Sequence, residues 1–221
     1  MKLTYDDQIA VLDLGDDENR FSPDFLDEIN AVLDEVVAAG AEGRAHGLVT
    51  TAGGKFYTNG LDLDWLMANG DRTDWYVGRV HALLARVLTL PMPTAAAVVG
   101  HAFGAGAMLA IAHDFRVMRA DRGFFCFPEV DIRIPFTPGM AALIQAKLTP
   151  AAQVASMTTG RRFGGQDAAA VGIVDSTAGE GAVTPAALDL LRPLSGKDPG
   201  TLGAIKATMF GPAVAALQPA H

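Results

Sequence analysis

An α/β fold is what the sequence predicts, on three observations. Short apolar runs of strand length alternate with longer stretches whose apolar residues recur at helical spacing, and Gly, Pro and Asp separate the two kinds of run. Half of the chain, 50% of 221 residues, is hydrophobic against 19% charged, enough to bury a sizeable core and too apolar for a disordered chain.

Ile9 to Leu14 reads as the first strand. Ser22-Pro23 then starts a helix, with Ser22 as cap, Pro23 in the first turn, and Phe25, Ile29, Val32, Leu33 and Val36 on one face. His46 to Thr51 is the next strand, Asp62 to Ala68 a short helix with an acidic start, and Asp74 to Leu90 a longer helix ended by Pro91. Thr94 to Val99 is a strand, and a helix runs from the Gly104 turn to Ala112. Phe115 to Met118 and Phe124 to Phe127 are strand candidates. Helices follow near Gly139 to Lys147 and from Pro150 to Thr158, the latter led by Thr149, and an Ala/Leu-rich helix from Thr184 onward. A division near Ser176 separates a core of residues 1–175 from a helical region of 176–221. No low-complexity tract or internal sequence repeat stands out.

The formal charge of −8 and pI near 5.0 argue against nucleic acid as a partner, since phosphate binding needs a dense Lys/Arg surface. A single cysteine, Cys126, allows no intramolecular disulfide, and its Phe neighbours make it read as a small buried hydrophobe in a reducing, cytoplasmic protein. No run of eighteen apolar residues offers a membrane helix, the first fifteen residues hold no long apolar segment, and the terminal Pro219-Ala220-His221 is no peroxisomal tripeptide. Five His and one Cys show no metal-ligand spacing, and there is no Gly-x-Ser-x-Gly elbow.

Three segments carry candidate chemistry. In Pro93 to Met108, "PTAAAVVGHAFGAGAM", an apolar strand passes through a small-residue turn into a helix, where unpaired amides can hold an anion. Such a turn also serves close strand-to-helix packing. Gly53 to Leu66, "GGKFYTNGLDLDWL", holds a second Gly turn before a helix. Gly123 to Met140, "GFFCFPEVDIRIPFTPGM", holds Glu129 inside an apolar aromatic run, where burial raises a carboxyl pKa toward neutrality and suits it to general-base work. A solvated cap or a salt-bridge partner is the alternative for that residue. Asp131 is the rival carboxylate, on the same face as Glu129 if both lie on a strand. Asp62 and Asp64 fit the first turn of a helix, His113 and Asp114 the end of the central helix, and His101 either a backbone hydrogen bond or the lining of a pocket.

In this order the three segments resemble the crotonase superfamily of acyl-CoA enzymes, whose "F-x-x-G-x-D-L" and "G-x-A-x-G-x-G" turns each give one amide to an oxyanion hole. The resemblance runs from about residue 5 to 210. It includes "ENRFSPDFLDEINAVLDEV", "HDFRVMRADRGFFCFPEVDI" and "TTGRRFGGQDAAAVGIVD", and is greatest to the short-form 3,2-enoyl-CoA isomerases. It implies a spiral of β-β-α units with a helical C-terminal region, an acyl-CoA thioester as substrate with no cofactor beyond the CoA that the substrate carries, and a homotrimer or a dimer of trimers. By motif position the oxyanion-hole amides are those of Leu61 and Ala105, beside Gly60 and Gly104, and the acid/base is Glu129. Lys55 and Lys206 match basic positions aimed at CoA. Tyr57, Trp65, Leu66, Met108 and Phe136 are placed around the acyl group. Hydratases of the superfamily carry a second glutamate where this chain has Met108, which favours double-bond migration over hydration. A hydratase and a catalytically silent acyl-CoA-binding homologue are the alternatives.

Overall fold

The computed structural model describes residues 1–218, so the terminal tripeptide at 219–221 lies outside the described residues. β1 (Lys2–Asp6) and β2 (Ile9–Asp13) form an antiparallel hairpin. α1 (Pro23–Ala41) follows with Ser22 at its cap, the hydroxyl accepting from the Phe25 N–H, and Leu26, Ile29, Leu33 and Val36 buried. Next come β3 (Gly47–Thr51), β4 (Phe56–Thr58), α2 (Leu63–Ala68) and α3 (Thr73–Leu88), then β5 (Thr94–Val98), β6 (His101–Phe103) and α4 (Ala105–Ala112). β7 (Phe115–Arg119), β8 (Phe125–Cys126), α5 (Glu129–Ile132), α6 (Pro138–Lys147), α7 (Pro150–Met157) and α8 (Gly165–Ala170) lead to β9 (Ser176–Ala178) and the last helices, α9 (Val183–Leu191), α10 (Pro199–Met209) and α11 (Gly211–Leu217).

Three times the chain runs strand, strand, helix: β3 and β4 before α2, β5 and β6 before α4, β7 and β8 before α5. The first strand of each pair joins a six-stranded sheet ordered β1-β2-β3-β5-β7-β9, and the second joins a three-stranded parallel sheet ordered β4-β6-β8. That repeat is a β-β-α spiral. Beyond the first hairpin the large sheet is parallel, and a parallel sheet needs cover on both faces. Alternate residues divide accordingly. Ala10, Leu12, Leu48, Ala96 and Val98 face the main core, while Ile9, Val49, Ala95, Ala97 and Val117 face Val183, Ala187, Leu188 and Leu191 of α9. α4 has no polar side chain and all eight of its residues are buried, so it runs through the middle of the protein.

Several expectations shift. The strand expected over Phe124–Phe127 is two residues long, and Glu129 begins the one-turn helix α5 instead of lying on a strand, because Pro128 ends the extended run and sits at the helix N-cap. Asp131 therefore leaves the face of Glu129. Its carboxylate lies against the Gly160 backbone. The division near Ser176 falls inside the large sheet, since β9 pairs with β7 and α9 covers the outer face. The Ala/Leu-rich tail is three helices, because Pro193, Pro199 and Pro212 interrupt it.

Lys206 on α10 does not face a ligand cavity of the expected kind. It is 4% exposed, and its ammonium donates to the Met92 carbonyl (2.8 Å) and to Asp114 Oδ2 (2.6 Å), which also accepts from the Thr94 N–H (2.8 Å). This pair ties the C-terminal helices to the start of β5 and β7. Removing one partner strands the other charge. Lys206→Met is expected to cost about 3 kcal/mol, with part recovered in the Lys206→Met/Asp114→Asn double variant, measured by urea unfolding. A double-variant cost equal to the sum of the Lys206→Met and Asp114→Asn single costs would show that the pair is not coupled.

Candidate active site

Gly60 and Gly104 bring two turns of the chain into contact. Gly60 has φ +78°, and a Cβ built there would lie 2.6 Å from the Phe103 carbonyl and 3.0 Å from the Ala105 nitrogen. Only glycine allows that approach and that backbone conformation together. The turn is held from beneath by Thr58, whose hydroxyl accepts from the Gly60 N–H (3.0 Å) and donates to the Asn19 carbonyl (2.7 Å). Asn19, buried and at φ 50°, donates from Nδ2 to the carbonyls of Tyr57 (3.1 Å) and Phe56 (3.3 Å).

Gly104 has φ +52° and leads directly into α4, whose first N–H groups have no partner within the helix. Among the described residues no acceptor faces the backbone N–H of Leu61 or of Ala105. Both residues line a cavity of about 380 Å³. Two free amides from touching turns, one at the positive end of a buried helix dipole, make a place for an oxygen that is gaining negative charge.

Glu129 lines the same cavity at 9% exposure, and its Oε2 is buried without a hydrogen-bond partner. Its Oε1 would lie 3.5 Å from a Cβ on Gly104, which sets the carboxylate against the turn that opens α4. Burial pushes its pKa up to about 7, offset only in part by a backbone N–H. The walls are apolar: Leu63, Met67, Met108, Ile132 and Met140. Arg20 and Asp64 stand on the rim as a 2.8 Å ion pair, so Glu129 is the buried carboxylate of the cavity and Asp64 is exposed.

Leu61, Ala105, Gly104, Met108 and Glu129 come together as expected, with Gly60 in contact behind them. The others do not line the cavity. Tyr57 is fully buried with its hydroxyl on Thr50 (2.7 Å), because the inward face of β4 belongs to the core. Trp65 packs between Trp75 and Tyr76, Phe136 lies edge-on to Phe127, and exposed Lys55 reaches over Phe56. Leu66 packs against the main core instead of the cavity. His101 accepts the Phe124 N–H at Nδ1 and stacks among Phe56, Phe103 and Phe124. Arg20, Asn19, Met67, Ile132 and Ile134 were not singled out from sequence. For Asn19 a signal existed, since Asn tolerates positive φ and its amide can bridge carbonyls. The Ile pair becomes visible only once the chain turns back at Arg133, where φ is +59°.

The chain belongs to the enoyl-CoA hydratase/isomerase family, whose sequence model matches residues 5–219. With crotonase-fold neighbours, the resemblance to the crotonase superfamily and its isomerases stands. It is 40% identical over 172 residues to a peroxisomal enoyl-CoA delta isomerase 2 of Arabidopsis thaliana, covering 74% of this chain and 70% of that protein. It is 34% identical over 160 residues to the carnitinyl-CoA dehydratase of Escherichia coli K12, covering 72% and 60% respectively. Among solved structures it is similar to an apo enoyl-CoA isomerase of Mycobacterium tuberculosis, with a TM-score of 0.87, 26% identity, and coverage of 98% of this chain and 93% of that one.

A raised carboxyl pKa has a stability cost with a definite pH window. The folded Glu129 keeps its proton up to about 7, whereas the unfolded residue loses it near 4.5. As pH rises across that window the unfolded state ionises freely and the native state is progressively disfavoured, by roughly 3 kcal/mol above the folded pKa. Glu129→Gln removes this term. The variant is expected to gain on wild type in urea unfolding at pH 8 but not at pH 4.5, and an equal difference at both would mean that the carboxyl is solvated.

Proposed function

We propose that the protein is a 3,2-enoyl-CoA isomerase. The observation that carries this is one buried, unpaired carboxylate facing two free backbone amides in an apolar cavity. The thioester carbonyl oxygen accepts hydrogen bonds from the Leu61 and Ala105 N–H groups. Glu129, as carboxylate, takes a proton from C2 of a 3-enoyl thioester; the electron pair spreads over C4, C3, C2 and the carbonyl to give a dienolate. The same carboxyl returns its proton to C4, leaving the double bond between C2 and C3. Each amide is worth on the order of 10²–10³ in rate, because the charge it meets develops only on the way to the dienolate.

Hydration would need a second group to orient and deprotonate water. Met108 occupies the first-turn position facing the cavity from α4, and it is 1% exposed and apolar. This supports proton transfer over water addition.

The test is to incubate the protein separately with 3-enoyl-CoA and 2-enoyl-CoA and to separate the products by mass and retention time. The expected outcome is interconversion of the enoyl isomers without 3-hydroxyacyl-CoA. Glu129→Gln should lower turnover by at least about 10², the contribution of a positioned acid/base, while acyl-CoA affinity stays within a few-fold. For wild type, kcat/KM should rise with pH to a plateau above about 7, since the base must be ionised in the free enzyme. Substantial residual turnover in Glu129→Gln would remove this residue from the mechanism.

Met108→Glu is expected to introduce modest formation of 3-hydroxyacyl-CoA from 2-enoyl-CoA and to reduce isomerisation, because two neighbouring carboxyls raise one another's pKa. Efficient hydration by wild type would instead favour the hydratase reading.

A further inference from the structure

A second cavity, of about 340 Å³, lies at the other end of α4, away from Glu129. Its polar wall holds Lys147, Lys206 and Asp114, with Lys197 at its exposed mouth, and its apolar wall includes Ile205, Met209 and Phe210. Charge is unbalanced here. Arg116, Lys147 and Lys206 bring three positive groups together, against the two carboxylates Asp175 and Asp114, which are already paired with Arg116 (3.1 Å) and Lys206 (2.6 Å). Among the described residues no carboxylate lies within 4.0 Å of the Lys147 ammonium, which donates to the His113 carbonyl (2.8 Å) and hangs 5.2 Å over the Phe210 ring. Burial pushes the Lys147 ammonium down to about 8, so it is charged at neutral pH and poorly solvated.

An ammonium with unspent donors, half withdrawn from water beside an apolar wall, calls for a ligand with one anionic end and one hydrocarbon end. The wall continues outward along α10, where Ile205 and Met209, one helical turn apart, are 54% and 65% exposed. We propose that this cavity binds a single-chain carboxylate, with its head group on the Lys147 ammonium beside Lys197 and its hydrocarbon tail along Ile205 and Met209. A larger polyanion fits less well, since the remaining lysine, Lys206, is spent on Asp114 and Met92. The site does not depend on which reaction the Glu129 cavity performs.

The probe is octanoate, titrated into the full-length protein by calorimetry, with octanol and inorganic phosphate as the neutral and non-apolar counterparts. One saturable octanoate site is expected, with octanol and phosphate each at least about tenfold weaker. Ile205→Asp, at an exposed position that folding does not require, should weaken octanoate by about tenfold or more without moving the unfolding transition, by placing a negative charge on the tail's path. Lys147→Met, which keeps the stem and removes the charge, should do the same; if it does not fold, Ile205→Asp carries the test. Met108→Trp, which fills the Glu129 cavity, should leave octanoate binding unchanged. Equal binding of octanol, survival of octanoate binding in Ile205→Asp, loss of it in Met108→Trp, or no saturable site would each overturn the proposal.

Discussion

The contact between the Gly60 turn and the first residue of α4 is the constraint on which the rest of the structure depends. Two backbone segments approach so closely that a single added carbon would collide with a carbonyl and a nitrogen. Two neighbouring strands of the small sheet hold them there, because Gly60 follows β4 and α4 follows β6. α4 can end its N-terminus at that point only because its whole length is apolar and packed, so that the unpaired amides face the cavity and not bulk water. The interlocking of Asn19, Thr58 and the Gly60 N–H then fixes the turn with hydrogen bonds that a slightly different backbone path would break.

Against that rigid frame stands a group placed at an energetic disadvantage. A carboxyl with one oxygen buried and unpartnered would ordinarily be selected against in a core, and here the surroundings supply aromatic and proline neighbours in place of a countercharge. Arg20 shows that a cation is available nearby, yet its guanidinium is taken by Glu18 and Asp64 at the rim. Glu129 therefore keeps a proton affinity close to neutrality, which a direct ion pair would have abolished. Stability and proton-transfer capacity are set against each other at this one side chain.

Much of the fold is legible in the sequence, and the reason is length. Strands of five residues and helices such as α1 and α3 are long enough for periodicity to declare itself, and Ser22, Pro23, Asp62 and Pro91 mark their ends. β4, β6 and β8 have two or three residues each, shorter than the pattern that would reveal them, and α5 is a single turn after Pro128. The backbone donors and Glu129 were legible because glycine turns and a carboxylate amid Phe and Pro leave a local trace. Tyr57, Trp65 and Lys206 point away from the cavity that the resemblance implies for them, because the direction of a side chain depends on partners distant in sequence. Lys206 meets Asp114 across 92 positions, and no spacing rule reaches that far.

The sulfur atoms of the cavity wall have a consequence of their own. Met67, Met140 and Met108 line one space, but they are 76%, 6% and 1% exposed. An unbranched thioether bends to fill whatever shape lies beside it, and it also takes up oxygen to become a polar sulfoxide. A peroxide in solution thus meets Met67 at the entrance well before Met108 beneath it. Damage would accordingly begin as a wetter entrance, with the amides and the carboxylate still intact, and the order in which the three thioethers gain oxygen is a chemical gauge of how closed the interior stays in solution.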